Sequence, residues 1–251
     1  MDSVIGIDIG GTGIKAAVVD VDQGRLMTER RRILTPRPAA PAPMTKAMNE
    51  LLSSPEFEGH AMAGAGFPGA IKRDIIHSAP NLDRKWMGID GAATIGAAIG
   101  RTVSLLNDAD AAGLAEVRFG AGMGHEGVIA MVTLGTGIGC GLFVDGMLVP
   151  NTELGHIEIR GKDAERRAAA SVRERKKLTW KVWSVRVEEY LNALDRLIWP
   201  DLIIIGGGVS ATPEKFLPRI KTRVKVVPAA LGNDAGIIGA AMWAHGQASH
   251  A

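Results

Sequence analysis

Cysteine is almost missing from this chain: Cys140 is the only one among 251 residues. No disulfide framework can form within the chain, and a structural zinc site built from several cysteines is excluded. An excess of one charge is also missing. The 29 Lys/Arg and 27 Asp/Glu leave a net charge of +2, which argues against a general affinity for nucleic acid. No run of 18 apolar residues occurs, so no transmembrane helix is expected. The opening residues, Met1-Asp2-Ser3-Val4-Ile5-Gly6-Ile7, lack the basic and apolar regions of a signal peptide. With the lone thiol, this predicts a cytoplasmic protein. Two nucleotide-binding signatures are absent as well: G-x-x-x-x-G-K-[ST], and G-x-G-x-x-G leading into a helix.

What is present is a globular composition, 46% hydrophobic and 22% charged, with 32 glycines gathered in tight clusters beside apolar runs. The length allows two lobes or one large α/β domain. Residues 4–9 and 14–20 read as strands around Gly10-Gly11-Thr12-Gly13. The pattern returns half a chain later: 127–134 and 142–145 flank Gly135-Thr136-Gly137-Ile138-Gly139-Cys140-Gly141. Between and after these lie a Pro/Ala-rich connector at 36–43, a helix at 44–52, strands at 60–67 and 102–106, and a helix at 111–117. A long amphipathic helix at 178–197, an apolar strand at 202–205 and a terminal helix at 234–243 complete the chain. Trp180, Trp183 and Trp199 read as core or interface residues, and Cys140 as a packing residue. His77, His125, His245 and His250 belong to no recognisable constellation.

The two Gly-rich turns carry the first chemical signal. A phosphate needs convergent backbone N–H groups, and glycines permit the close approach and left-handed angles of an anion nest. In the first turn, Gly10 and Gly11 supply backbone, Thr12 a hydroxyl and Lys15 a cation. Asp8, at the strand end, can hold Mg²⁺ directly or through water. The plain alternative is a tight hairpin that Asp8 caps. The second turn repeats the chemistry with Thr133, Gly135, Thr136 and Gly137. Two such turns can grip a polyphosphate from both sides of a cleft. Asp108, after the strand at 102–106, has the chemistry of a general base that accepts a hydroxyl proton, and Asn107 can bond a neighbouring hydroxyl. The competing reading is an Asn-Asp helix cap, for which Asp110 is the better candidate. Glu153 and His156, three apart around Gly155, suit the vicinal hydroxyls of a sugar. A metal at His156 is disfavoured, because no second His or Cys lies at ligand spacing.

The two turns resemble the phosphate-1 and phosphate-2 loops of the actin-like ATPase superfamily. Ile203-Ile204-Ile205-Gly206-Gly207-Gly208-Val209 resembles its adenosine-contacting strand and turn, which implies adenosine binding at Gly207 and Gly208. Ala79-Pro80-Asn81-Leu82, Asn107-Asp108-Ala109-Asp110 and Glu153-Leu154-Gly155-His156 are similar to motifs of the ROK sugar kinases. Within that family, Asp163-Ala164-Glu165 followed by Arg166–Ser171, with no zinc motif, resembles the polyphosphate glucokinases and glucomannokinases. The resemblance runs from Ile5 to Ala241. It implies an α/β, two-lobed actin-like ATPase (ribonuclease H-like) fold with a central cleft. The smaller lobe would hold 1–106, joined by the C-terminal helix 234–251, and the larger lobe 107–233. It also implies a homodimer and phosphoryl transfer to the 6-hydroxyl of glucose, with mannose as a further substrate. Asn81, Asn107, Glu153, His156 and Glu165 would hold the hexose, and Mg²⁺ but no zinc would assist.

Residues 160–186 hold ten Lys/Arg against three Asp/Glu. This is either a solvated helix face or a track for an extended polyanion, with Arg166, Arg167, Arg173, Arg175, Lys176 and Lys177 as the candidates. Few aromatics interleave with it, against a nucleic-acid role. Both ATP and inorganic polyphosphate are therefore expected as donors. The alternatives are a strictly ATP-dependent hexose kinase, a sugar-sensing repressor and an ATPase with an interaction role. A repressor of this family carries a helix-turn-helix domain ahead of the first turn, where this sequence has few residues. An interaction ATPase needs no Glu153-x-x-His156.

Overall fold

Strands covered on both faces carry near-continuous apolar runs, and the first two elements do so. β1 (Ser3–Ile9) and β2 (Gly13–Asp20) form an antiparallel hairpin with Ile9 opposite Ile14. The computed structural model describes residues 2–248, so His250 lies outside the described residues. They fall into two units. One comprises the residues up to Ala115 and those from Asp234 onward, the other Glu116–Asn233.

In the first unit, β3 (Arg25–Leu26) and β4 (Arg31–Leu34) both pair with β2. α1 (Pro41–Leu52) precedes β5 (Met62–Phe67), and a small hairpin of β6 (Ile71–Lys72) and β7 (Ile75–Ile76) follows. α2 (Gly91–Ile99) leads to β8 (Thr102–Asn107). The sheet runs β3-β2-β1-β5-β8, with β1, β5 and β8 parallel. Met44, Met48 and Leu51 of α1 and Ile95 and Ile99 of α2 close one core with Ile5, Ile7 and Phe67. The connector expected to reach residue 43 ends earlier. Pro41 opens α1, because proline at the first helical position sacrifices only an amide that would be unpaired anyway.

α3 (Asp108–Phe119) also starts earlier than expected, directly after β8. Its cap is Asn107, whose Oδ1 accepts from the amides of Ala109 and Asp110 at 2.8 and 3.1 Å. The expectation that Asp110 caps is thus corrected: the strand extends to Asn107, and Asp110 sits inside the first turn, 1% exposed.

The C-terminal helix (Ala235–Ala248) lies on β1 and β5 at backbone distance. A Cβ on Gly6 would fall 2.0 Å from the Ile237 carbonyl oxygen, and one on Gly64 1.7 Å from that of Ala240. A Cβ on Gly239 would likewise fall 1.7 Å from the Ala111 carbonyl oxygen of α3.

The second unit repeats the plan. β9 (Val128–Leu134) and β10 (Ile138–Val144) form an antiparallel hairpin with Leu134 opposite Ile138, and β11 (Met147–Val149) continues it. The small hairpin of β12 (Glu158–Ile159) and β13 (Lys162–Asp163) leads into α4 (Glu165–Ala168), α5 (Ala170–Arg175) and α6 (Trp180–Ile198). β14 (Leu202–Gly206) lies parallel to β9, and β15 (Lys225–Pro228) parallel to β14. α6 begins two residues later than expected because Thr179 caps it, accepting from the Val182 amide at 3.3 Å. It buries Trp183, Val187, Tyr190, Leu191 and Leu194 against Ile203, Ile205 and Phe216, in a core that also holds Cys140. Of the core-or-interface reading, Trp199 does not meet the core half. It is 67% exposed, with the Arg223 guanidinium 4.5 Å from its ring centroid. No described helix is long and apolar enough to cross a membrane.

Candidate active site

The first Gly turn is closed by one bond from the Gly10 amide to the Gly13 carbonyl, 3.0 Å long. The amides of Gly11 and Thr12 make no hydrogen bond among the described residues, which leaves donors for an anion. The carbonyls of the turn have donors of their own. Thr35 Oγ1 donates to the Gly10 carbonyl, and Arg37 Nη2 to the Gly11 carbonyl at 2.9 Å. Lys15, next to the turn on β2, bonds Asp8 Oδ2 at 2.8 Å. Asp8 therefore reaches the turn partly neutralised, with Oδ1 left for other company.

Asn81 belongs with this turn: a Cβ on Gly11 would touch its Cβ at 3.4 Å. Asp108 stands at the C-terminal end of β8, where parallel α/β sheets place ligands. Its Cα lies 3.4 Å from the position of a Cβ on Gly66 of β5. The carboxylate is half-buried and accepts from the Ala109 amide at 2.9 Å. Asn107 is buried and largely committed, because Nδ2 donates to the Gly69 carbonyl at 3.1 Å while Oδ1 caps α3. One N–H of its amide group is left over.

The second Gly turn mirrors the first. Its closing bond joins the Gly135 amide to the Gly137 carbonyl at 3.0 Å, and a hydroxyl again backs a carbonyl, Ser171 Oγ to Thr136 at 2.6 Å. Thr133 pairs with Gly139 just before the turn. Gly207 sits against the same hairpin. Its φ is +80°, and a Cβ there would fall 2.5 Å from the Leu134 carbonyl oxygen, so only glycine fits both the angle and the space. Gly208 follows as the start of a short 3-10 turn. Within the second unit, the second Gly turn, expected to hold phosphate, thus lies beside Gly207, expected to hold adenosine.

Beside this turn lies an acidic cluster around one imidazole. His156 Nε2 is 3.8 Å from Glu153 Oε2, and Nδ1 is 3.5 Å from Asp163 Oδ2. Glu165 Oε2 is 3.4 Å from the Ile138 amide and stands over Gly137, where a Cβ would be 2.5 Å away. Gly155 is required by its contact with the Ile138 carbonyl, 2.0 Å from a Cβ placed there. Burial raises the Glu153 carboxyl above its ordinary pKa; His156 opposes the shift and Glu165 adds to it. His156, Asp163 and Glu165 each offer a ligand atom within 4.8 Å of the others. No second His or Cys stands by His156 at ligand spacing along the chain, but the fold brings two carboxylates, Asp163 and Glu165, beside it.

The basic segment is not one helix face, because it runs from the turn after β12 through β13, α4, α5 and the start of α6. Two of its cations are spent internally: Arg160 and Arg167 reach Glu189 at 2.6 and 2.7 Å. The Arg160 hydrogen bond, helped by Arg167, holds the Glu189 carboxyl below its ordinary pKa against the effect of burial. Arg166 lies 3.6 Å from Asp163, and Arg173 stacks 4.0 Å from the Trp180 ring centroid. Arg175, Lys176 and Lys177 are exposed and form no ion pair among the described residues.

Comparison with known proteins adds to this geometry. A profile of the ROK family matches residues 4–171. The polyphosphate glucokinase of Mycobacterium tuberculosis is 45% identical over 98% of this chain and 92% of its own. The solved structure of an inorganic polyphosphate/ATP-glucomannokinase from Arthrobacter sp. strain KM superposes with a TM-score of 0.96. It is 46% identical over 98% of this chain and 100% of that one. A ROK family glucokinase from Streptomyces griseus, solved in complex with glucose and AMPPNP, has a TM-score of 0.85 at 26% identity, covering 98% and 100% of the two chains.

Proposed function

Because the chain belongs to the ROK family, we propose that its two Gly turns receive a phosphoryl donor and that the residues around Asp108 and His156 receive a hexose. The fold is the actin-like ATPase α/β fold of the ROK sugar kinases. The enzyme is a glucokinase that takes its phosphoryl group from inorganic polyphosphate or ATP. The observation that carries this is the whole-length likeness to a polyphosphate glucokinase, on a fold that builds the same turn twice.

In the reaction, the 6-hydroxyl oxygen of glucose attacks the terminal phosphorus. The bond from that phosphorus to the donor chain breaks, and the donor leaves one phosphate shorter. Asp108 accepts the hydroxyl proton. The amides of Gly11, Thr12, Thr136 and Gly137 hold donor oxygens, with the Thr12 and Thr133 hydroxyls and Lys15 beside them; Gly207 and Gly208 take adenosine when ATP is the donor. Asn81, Asn107, Glu153, His156 and Glu165 hold the sugar. Mannose is accepted too, since one ring hydroxyl gives little discrimination. Mg²⁺ belongs at Asp8, whose free oxygen suits a hard cation; when bound, it offsets the charge of the donor phosphates. Zinc has no place in this scheme, and the assembly is a cytoplasmic homodimer.

The test is a donor comparison: glucose 6-phosphate formed from glucose and Mg²⁺ with either ATP or polyphosphate. Product from both is expected. Product from ATP alone would leave a strictly ATP-dependent kinase.

A pH effect follows from Glu153. Its carboxyl accepts hydroxyl hydrogen bonds more strongly, and with both oxygens, when ionised, and its pKa is raised. The KM for glucose should therefore climb as pH falls, beginning at a higher pH than an ordinary glutamate would give. Glu153→Gln should raise KM and flatten that limb of the profile; an unchanged limb would remove Glu153 from the sugar site.

A further inference from the structure

Two arginines that no motif marks lie on the first Gly turn. Arg32, on β4, pairs across the sheet with Lys15. Its side chain lies flat over Gly13: a Cβ there would be 2.7 Å from Arg32 Nε and 3.0 Å from Nη2. The lack of a side chain at Gly13 is thus what lets the guanidinium rest on the turn. Arg32 Nη2 approaches the Thr12 carbonyl at 3.4 Å, and Arg37 Nη2 bonds the Gly11 carbonyl at 2.9 Å. Both residues are exposed, and neither forms an ion pair among the described residues.

This arrangement differs from that of the cations in the basic segment. Arg160 and Arg167 have spent their charge on Glu189. Arg32 and Arg37 each give one N–H to a carbonyl and keep the rest of a five-donor fork with its full charge. The carbonyl bond also fixes the fork, so little side-chain entropy remains to be lost when an anion binds. Guanidinium forks match phosphate oxygens in pairs.

We propose that Arg32 and Arg37 bind phosphates of inorganic polyphosphate that are not transferred, and so favour that donor over ATP. This rests on the donor reading above. ATP ends its charge after three phosphates and continues as adenosine, whereas polyphosphate goes on offering an anion at every unit. Cations beyond the Gly turn reward only the longer donor.

The experiment measures steady-state kinetics of Arg32→Ala, Arg37→Ala, the double variant and both Arg→Lys variants, with long-chain polyphosphate, tripolyphosphate and ATP. Losing a charge-assisted hydrogen bond predicts that the ratio of KM for long polyphosphate to KM for ATP rises at least about tenfold per arginine. The slope of log KM for polyphosphate against log salt should fall by about one per residue, and lysine should restore the slope better than the ratio. If kcat falls alike with every donor and the melting temperature drops, the arginines only brace the turn and the proposal is overturned. An active wild type whose variants keep the ratio overturns it as well. A wild type that is idle with polyphosphate but active with ATP overturns the donor reading and this proposal together.

Discussion

Asp108→Ala is expected to lower kcat by at least about a hundredfold with either donor, the usual worth of a general base, while the protein keeps its fold. The local geometry separates the two effects. The cap of α3 is Asn107, which holds the amides of both Ala109 and Asp110. The Asp108 bond to Ala109 only duplicates one of these. Removing the carboxylate therefore leaves the helix start paired. Asp108→Asn should be as slow as the alanine variant, since an amide accepts no proton, and KM for glucose should move less than kcat. Near-normal turnover in either variant would remove Asp108 from the chemistry.

The second large effect is on stability. In Gly64→Ala the new methyl would lie 1.7 Å from the Ala240 carbonyl oxygen. The obstacle is backbone, so no rotamer change can make room. The C-terminal helix must shift, and the approaches at Gly6 and Gly239 loosen with it. Overpacking of this kind should cost on the order of 3 kcal/mol or more, a fall of roughly 6 to 12 °C in Tm for a chain of this size. Gly246→Ala in the same helix is the control. A Cβ there meets nothing within 4 Å, so that change should be neutral or stabilising by up to about 1 kcal/mol. Equal melting of the two variants would contradict the close packing.

The sequence made the two hairpins legible because an apolar strand that stops at clustered glycines and resumes has few other readings. The same holds for β14 and its turn. Helix starts were less legible, since a cap depends on where the preceding strand ends: Asn107 and Asp110 have equal chemistry, and only β8 ending at Asn107 decides between them. The backing of the Gly turns left no trace at all. Thr35 and Ser171 reach Gly10 and Thr136 from 25 and 35 residues away, and nothing local in either sequence announces it. Asp163 was visible as part of a motif, but its place beside His156 depends on the β12–β13 hairpin. The basic segment is continuous only along the chain. In space its members are divided among carboxylates, an indole ring and solvent.

The helix that lies on Gly6 and Gly64 is translated after all of Glu116–Asn233. On the ribosome, β1, β2, β5 and β8 emerge first, yet one face of their sheet stays bare until the last helix is released. The second unit is one unbroken stretch and can close as soon as it leaves the exit tunnel. The first sheet to be made is thus the last to be finished. During that interval the nascent chain exposes the strand face that carries Gly6 and Gly64.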